Sequence, residues 1–282
     1  MAARGRLPAL QSALLSRPIL RLASLCGLLA LAGCATLPNG RNWGEDATVQ
    51  PGWQKVGRAA LAAVEAPGFW LPLAGAAALQ IDNWDHRMSS WARRETPIFG
   101  SQQSATDWSD RLRSASAYAY FATVAVTPGG EAPGAWLLDK TQGLAVGAAA
   151  ILVTDEASAL LKRASARERP NGQDDESMPS SHASRSAVLT ELARRNMQWV
   201  GVSAAARGVI DGGLTALTLA TGWARVEAGF HYPSDVLVGM AMGDFNGAFF
   251  NDAFMGLPQA SQVAFAVEPV RAGVLLRVHL IW

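Results

Sequence analysis

The feature that most constrains this chain is a set of charged and imidazole side chains that recur in a fixed order between positions 162 and 235. The set has three cations, two imidazoles and one carboxylate: Lys162, Arg169, His182, Arg225, His231 and Asp235. Side chains so distant in sequence act together only if the fold brings them to one place. Their chemistry is suited to holding a phosphate group and breaking one of its ester bonds, because phosphoryl transfer depends mainly on positioning and charge neutralisation.

Both imidazoles stand at predicted helix starts. His182 follows Ser180 in the run PSSH, and a Ser in that position caps the free N–H groups of the helix behind it. Those N–H groups and the helix dipole also bind anions. His231 precedes Pro233, which suits the first turn of a helix. Asp235 lies four residues after His231, so we expect it to accept Nδ1–H and leave Nε2 free as a nucleophile.

The basic residues suit an oxyanion clamp. Lys162 and Arg169 are seven positions apart, about two helical turns, and Pro170 requires the helix to end near them. Arg225 adds a second guanidinium, whose planar fork matches phosphate. These residues fall in three blocks of the sequence, 162–170, 179–182 and 225–235. Taken singly, the first block also fits a solvated basic helix end, the second a Ser cap beside an exposed His, and the third a core His paired with a capping Asp.

The rest of the chain predicts an all-α helical bundle with a C-terminal β-hairpin. Helical patterns cover 56–64, 104–126, 135–162, 184–196, 202–220 and 236–254, and alternating apolar residues cover 263–267 and 274–282. We expect a signal peptide over 1–33, a tether over 34–55, a helical domain over 56–258 and the hairpin over 259–282. Since no uninterrupted apolar run of 18 residues follows the signal, we expect a bundle that rests on a membrane. The alternative is partial insertion of 66–81, 115–126 and 236–250.

The N-terminus predicts export. Arginines and an apolar run lead to Leu31-Ala32-Gly33-Cys34, which resembles a bacterial lipoprotein signal. That resemblance implies acylation of Cys34, attachment to a bilayer and, since Ala35 follows, a periplasm-facing position on the outer membrane. An ordinary secretory signal or an uncleaved anchor is the alternative. Cys26 lies inside the signal, so the mature chain has no pair to form a disulfide.

Charge and composition exclude other classes. Half of the residues are apolar and charged residues are sparse, which argues against a disordered chain and against nucleic-acid binding. Without the four arginines of the first 33 residues, 20 basic residues stand against 23 acidic ones, a net charge of −3, so any anion-binding site must be built locally. Asp82, Asp85 and His86 have metal-ligand types, but nothing completes a metal site, so we expect structural or surface roles. The acidic run 174–176 is either solvated or gates the cationic site. Asp155 pairs either with Lys162 or along the helix surface.

Together the three blocks resemble the type 2 phosphatidic acid phosphatase superfamily, which includes lipid phosphatases, bacterial acid phosphatases and vanadium haloperoxidases. Its signature is Lys-x6-Arg-Pro, Pro-Ser-Gly-His and Ser-Arg-x5-His-x3-Asp. The resemblance implies that His231 attacks phosphorus, Asp235 orients it and His182 protonates the leaving oxygen. It further implies that the phosphate oxygens are held by Lys162, Arg169, Ser180, Ser181 and Arg225. No metal or cofactor is implied, and vanadate is expected to inhibit.

Two positions depart from the family pattern. Ser181 replaces a Gly, and Ala224 replaces a Ser. A lost hydrogen bond to an anion costs roughly 1.5–3 kcal/mol, so we expect a slower enzyme. The predicted function is metal-independent hydrolysis of a phosphomonoester or pyrophosphate, with a membrane lipid phosphate as the expected substrate. The alternatives are a phosphatase for small soluble esters, a vanadate-dependent haloperoxidase and a non-catalytic envelope lipoprotein that binds anions.

Overall fold

This computed structural model describes residues 40–256 and, for the backbone alone, 263–270 and 273–280. The predicted signal peptide and Cys34 lie outside the described residues. The helices are α1 (Trp53–Glu65), α2 (Pro67–Ala78), α3 (Trp84–Glu95), α4 (Gln102–Val126), α5 (Pro133–Ser165), α6 (Ser181–Met197), α7 (Ala204–Glu227) and α8 (Pro233–Phe254), with a 3₁₀ turn at Ile81–Asn83. The predicted helical bundle is confirmed. In the segment where a hairpin is predicted, β1 (Val263–Val270) and β2 (Gly273–Leu280) pair antiparallel.

Local signals in the sequence account for where α6 and α8 begin. The Ser180 hydroxyl accepts the amide N–H of Ala183 at 3.4 Å and caps α6. Pro233 is the first residue of α8, and the Asp235 carboxylate accepts the N–H of Tyr232 at 2.8 Å. The two helices whose starts lie beside the imidazoles therefore begin close to where the sequence predicts.

Glycines let α8 approach α6 closely. A Cβ on Gly239 would lie 2.6 Å from the carbonyl oxygen of Ser180, and one on Gly243 would lie 2.2 Å from that of Ser184. Both distances are shorter than any real carbon contact, so the two backbones are packed at a separation that only glycine permits. Residues four apart share one helix face, and small residues on that face allow such close packing. This contact fixes the start of α6 beside the start of α8.

The core extends into the segment that the sequence predicts to be a tether. Trp43 is 1% exposed and packs with Tyr120, Val188 and Leu189. Its ring N–H donates to the Asn196 side chain at 3.0 Å. Residues 40–52 contain no helix or strand, but a buried Trp gives them a fixed place on the bundle. The tether prediction is therefore wrong for this part of 34–55.

Helix α5 presents a long apolar surface. Leu137, Leu152 and Leu160 are 61%, 64% and 59% exposed. By length and composition, α5 could cross a membrane, and so could the bent α1–α2 pair if both helices form one span. As expected from the sequence, α5 contains no uninterrupted apolar run of 18 residues, and it meets the length and composition of a span only on its mean hydropathy. Thr and Gly interrupt its apolar run, but the helix remains apolar on average.

Candidate active site

The start of α6 is hydrogen-bonded to the start of α8. The Ser180 amide donates to the Asp235 carbonyl oxygen at 3.0 Å. His182 lies in the first turn of α6, and His231 lies two residues before α8. Burial lowers the pKa of both imidazoles, and the positive charge of Arg225 lowers both further. Both histidines therefore lie near one guanidinium, as the sequence predicts.

The ring of His231 is held by the backbone of a residue that sequence reasoning did not identify. His231 is 2% exposed, and its Nδ1 lies 2.6 Å from the carbonyl oxygen of Ser177. Because a carbonyl oxygen only accepts hydrogen bonds, Nδ1 carries the proton and Nε2 carries the lone pair. The expectation that Asp235 accepts Nδ1–H directly is wrong. The expected tautomer, with the proton on Nδ1, follows instead from the Ser177 contact.

Burial holds His231 in its neutral form. Removal from water lowers the pKa of His231 well below the ordinary value of 6.5, and the positive charges of Arg225 and Lys162 add to that effect. The Ser177 carbonyl opposes the shift but does not overcome it. At neutral pH the imidazole is therefore uncharged, which is the state that a nitrogen nucleophile requires.

Asp235 acts on His231 through Ser177. Its carboxylate accepts the Ser177 hydroxyl at 2.5 Å and the Arg167 guanidinium at 2.6 Å. Burial raises the pKa of Asp235, while the bonds from Ser177 and Arg167 oppose that rise. The carboxylate thus fixes Ser177, and the Ser177 carbonyl fixes the ring of His231.

A second buried carboxylate extends this network. Asp85 of α3 is 1% exposed and accepts the other Nη of Arg167 at 2.8 Å. It also accepts the amide of Ser234 at 2.8 Å. The expected structural role of Asp85 is therefore confirmed, and Arg167 joins it although the sequence does not single out that residue. Arg167 is 20% exposed and pairs with two buried carboxylates, so its position is strongly constrained.

His182 has a different partner. Its Nε2 lies 2.9 Å from a carboxylate oxygen of Asp110 on α4, and its side chain is 18% exposed. Burial and the charge of Arg225 lower the pKa of His182 to about 4, although Asp110 opposes this. The hydrogen bond from His182 in turn lowers the pKa of Asp110. No local pattern around Asp110 predicts this contact, because 72 positions separate the two residues.

Two guanidinium groups lie over one aromatic ring. Arg225 is 7% exposed and its guanidinium carbon lies 3.9 Å from the centroid of the Phe230 ring, while that of Arg169 lies 5.5 Å from it. Burial and the nearby charge of Arg169 lower the pKa of Arg225 to about 10. Its Nη1 donates to Ser109 at 3.3 Å, and its buried Nε has no partner within residues 40–256. Cation–π contact therefore holds two like charges together, with hydrogen-bonding capacity left for an anion.

The loop between the first two motifs contacts these cations. Asp174 accepts the Nε of Arg169 at 2.5 Å, and the Glu176 carbonyl oxygen accepts the ammonium of Lys162. All three acidic side chains of 174–176 are exposed, as expected of a solvated run, and Asp174 also pairs with a cation of the candidate site. Asp155 pairs with Arg185 of α6, so the suggested pairing with Lys162 is wrong.

The remaining predicted residues are structural in their visible contacts. Ser180 is fully buried as the α6 cap, and the Ser181 carbonyl accepts the hydroxyl of Ser184 at 3.2 Å. Ala224 is fully buried, so the hydroxyl of a Ser in its place would face the interior. Within the part of the chain that the structure describes, no three His, Asp or Glu side chains are grouped as a metal site would require.

Comparison with known proteins finds similarity to one superfamily over part of the chain. Residues 141–254 match the sequence profile of the PAP2 superfamily. No protein of curated function matches the chain significantly. A solved structure, described as the first transmembrane PAP2 type phosphatidylglycerolphosphate phosphatase from Bacillus subtilis, is similar to 65% of this chain and 92% of its own length, with 18% identity and a TM-score of 0.46. A similarity of that size says nothing about the substrate of this chain. The stretch that supplies both imidazoles and the three predicted cations is the stretch that matches the PAP2 superfamily.

Proposed function

We propose that this chain is a phosphatase in which His231 forms a covalent bond to phosphorus. The observation that carries the proposal is a buried, neutral imidazole whose Nδ1 is fixed by the Ser177 carbonyl and whose surroundings include Lys162, Arg169 and Arg225. A neutral nitrogen beside fixed positive charges suits attack on an anionic phosphate ester, because the cations neutralise charge that would repel the nucleophile.

In the first step, Nε2 of His231 forms a bond to phosphorus as the bond from phosphorus to the leaving oxygen breaks. His182 gives its proton to that oxygen. In the second step, a water molecule attacks phosphorus, returns a proton to His182 and breaks the phosphorus–nitrogen bond. Free phosphate and the starting enzyme result.

His182 must change its protonation state during this cycle. The pKa of His182 is about 4, chiefly because the imidazole is buried and also because Arg225 is close. A bound phosphate brings negative charge beside Arg225 and His182, which raises the pKa of the imidazole. Substrate binding therefore promotes the protonated form needed in the first step, and Asp110 supports it by accepting a hydrogen bond.

We propose a phosphorylated lipid as the substrate. Leu160 and Leu161 are 59% and 43% exposed, and they directly precede Lys162 at the end of α5. An apolar helix surface that leads to a phosphate-binding Lys suits a ligand with acyl or prenyl chains and a phosphorylated head. Acylation at Cys34 and location on the outer membrane remain predictions from the sequence. Fatty-acid labelling of the unchanged protein that is lost in Cys34→Ala would support the acylation.

A phosphate-release assay tests the proposal. We expect release from a lipid phosphate in mixed micelles to persist in EDTA, to be inhibited by vanadate and to exceed release from a small soluble ester. His231→Ala should abolish it while the helical circular dichroism is retained. Full activity of His231→Ala, or complete loss of activity in EDTA, would contradict the proposal.

A matched pair of variants tests the phosphate clamp. Lys162→Met removes a cation from the candidate site, whereas Arg163→Met removes an exposed cation from the adjacent position of α5. We expect Lys162→Met to lower kcat/KM by about 10- to 100-fold, since a charged hydrogen bond is worth roughly 1.5–3 kcal/mol. Arg163→Met should leave kcat/KM unchanged, and equal losses in both variants would argue against a specific clamp.

A further inference from the structure

A cavity lined by α1, α2, α6, α7 and α8 lies outside the candidate active site. Its volume is about 700 Å³. One wall is apolar and is formed by Leu71, Pro72, Leu219, Leu237 and Met240. Leu71 and Leu219 are each 53% exposed, so the apolar wall continues to the surface of the bundle. A hydrocarbon chain could enter from that side.

The lining of the cavity also contains charged side chains that largely satisfy one another. Glu191 accepts Nε of Arg195 at 2.7 Å and also accepts Nη1 of Arg194. Arg195 donates to Asp252 at 2.5 Å. Each of these four side chains therefore has an oppositely charged hydrogen-bond partner within the protein, as buried charges generally require.

Asp244 is the exception in this network. Its side chain is 15% exposed, and the nearest cationic atom is Nη1 of Arg194 at 3.8 Å, beyond hydrogen-bond length. The described residues provide it with no hydrogen bond. A Cβ on Gly68 would lie 2.2 Å from its carboxylate, so the α2 backbone covers one side of the group. Burial, and the negative charge of Glu191, raise the pKa of Asp244 to about 7.

The balance of charge indicates the sign of a ligand. Four carboxylates and two guanidinium groups line the cavity, which gives a formal charge of −2: Glu65, Glu191, Asp244, Asp252, Arg194 and Arg195. An anionic ligand would add to this excess. Arg194 lies 3.8 Å from Asp244, so a ligand with a positive head would supply the hydrogen-bonded partner that Asp244 lacks, and its chain would cover the apolar wall.

We propose that this cavity binds an amphiphile whose head carries a protonated amine, with the Asp244 carboxylate as its counter-ion. The site is separate from the candidate active site. Asp244 follows Asp235 by nine residues, about 13 Å along α8 at 1.5 Å per residue. The proposal is therefore independent of the proposed phosphatase activity, which serves as an internal control for correct folding.

Calorimetric titration of the full-length protein in a maltoside detergent tests this site, with blank titrations into detergent alone. The probes are decylammonium, decanol and decanoate, which share a chain length and differ in the charge of the head. We expect decylammonium to bind at least tenfold more tightly than the other two. Equal affinities, or no binding of decylammonium, would overturn the proposal without the need for any variant.

Two substitutions then locate the binding group. Asp244→Asn should lose at least tenfold in affinity for decylammonium and keep its affinity for decanol. Asp211→Asn is the matched control, because Asp211 lies 3.9 Å from Arg194 but does not line the cavity. Unchanged binding in Asp244→Asn, or the same loss in both variants, would contradict the assignment.

A third comparison identifies the source of the amine. Lysophosphatidylethanolamine presents the ammonium on a lipid head, and lysophosphatidylglycerol is its counterpart without an amine. Preferential binding of the ethanolamine lipid would assign the site to an aminolipid. Binding of decylammonium alone would assign it to a simple alkylamine.

Discussion

The two imidazoles of the candidate site are held in different ways. His231 is 2% exposed and is fixed by a backbone carbonyl. Behind that carbonyl, hydrogen bonds form a continuous network through Ser177, Asp235, Arg167 and Asp85. His182 is 18% exposed and contacts Asp110, whose side chain is 56% exposed. The fixed imidazole suits a nucleophile, which needs one tautomer and one orientation. The less constrained imidazole suits an acid–base group, whose protonation state must change with the ligand.

Disrupting the network that fixes His231 should have the largest effect on stability and activity. Asp235→Asn takes one of two carboxylates away from Arg167, which is 20% exposed and keeps Asp85, and it weakens the hold on Ser177. Loss of one partner from a buried ion pair costs about 3–5 kcal/mol, and we expect the lower end of that range here because Asp85 remains. We expect a large loss of both stability and activity. Chemical denaturation and phosphate-release kinetics on the same preparation measure the two losses.

Ser177→Ala is the matched variant for that experiment. It removes the hydroxyl that donates to Asp235 but keeps the backbone carbonyl that holds Nδ1 of His231. We therefore expect a loss of about 1.5–3 kcal/mol, the value of a hydrogen bond to a charged group, and partial retention of activity. A Ser177→Ala variant as damaged as Asp235→Asn would show that the hydroxyl, and not the Arg167 pair, dominates this side.

Changing the contact between His182 and Asp110 should alter the pH dependence of kcat more than the stability of the fold. Asp110 raises the pKa of His182, so Asp110→Asn lowers it further. An acid with a lower pKa loses its proton at lower pH, so the alkaline limb of the kcat profile should move to lower pH. We expect about a tenfold loss of kcat at neutral pH, below the 10²–10⁴-fold contribution of a complete acid–base group. An unshifted profile would mean that Asp110 does not assist His182.

The smallest expected effect is on stability in mild acid. The pKa of His182 is lower in the folded protein, about 4 against an ordinary 6.5, so between these values the unfolded chain binds a proton that the folded chain does not. Stability therefore falls as the pH decreases from about 6.5 towards 4. His182→Gln should weaken this fall, whereas the contribution of His231 should persist. Melting temperatures at pH 7 and pH 5 measure it, and an identical fall in the variant would contradict the pKa assignment.

The sequence predicts some parts of this site better than others. Ser180 and Pro233 act on residues next to them, so the starts of α6 and α8, and with them both imidazoles, follow from local rules. Asp85 and Asp110 are 149 and 72 positions from the residues that they contact, and their neighbours carry no pattern that marks them. Ser177 contributes to His231 through its carbonyl, which every residue possesses. Such contacts depend on how helices pack, which local patterns do not specify.

Direct detection of a phosphohistidine tests the central claim. The protein is mixed with phosphate-labelled p-nitrophenyl phosphate, quenched after a short time, and digested to locate the label. Because p-nitrophenolate leaves without a proton, His182→Ala should still form the intermediate and should accumulate it, since activation of water is impaired. We predict acid-labile, alkali-stable label on the peptide that contains His231, and none in His231→Asn. Turnover without label on that peptide, or label that persists in His231→Asn, would contradict the account.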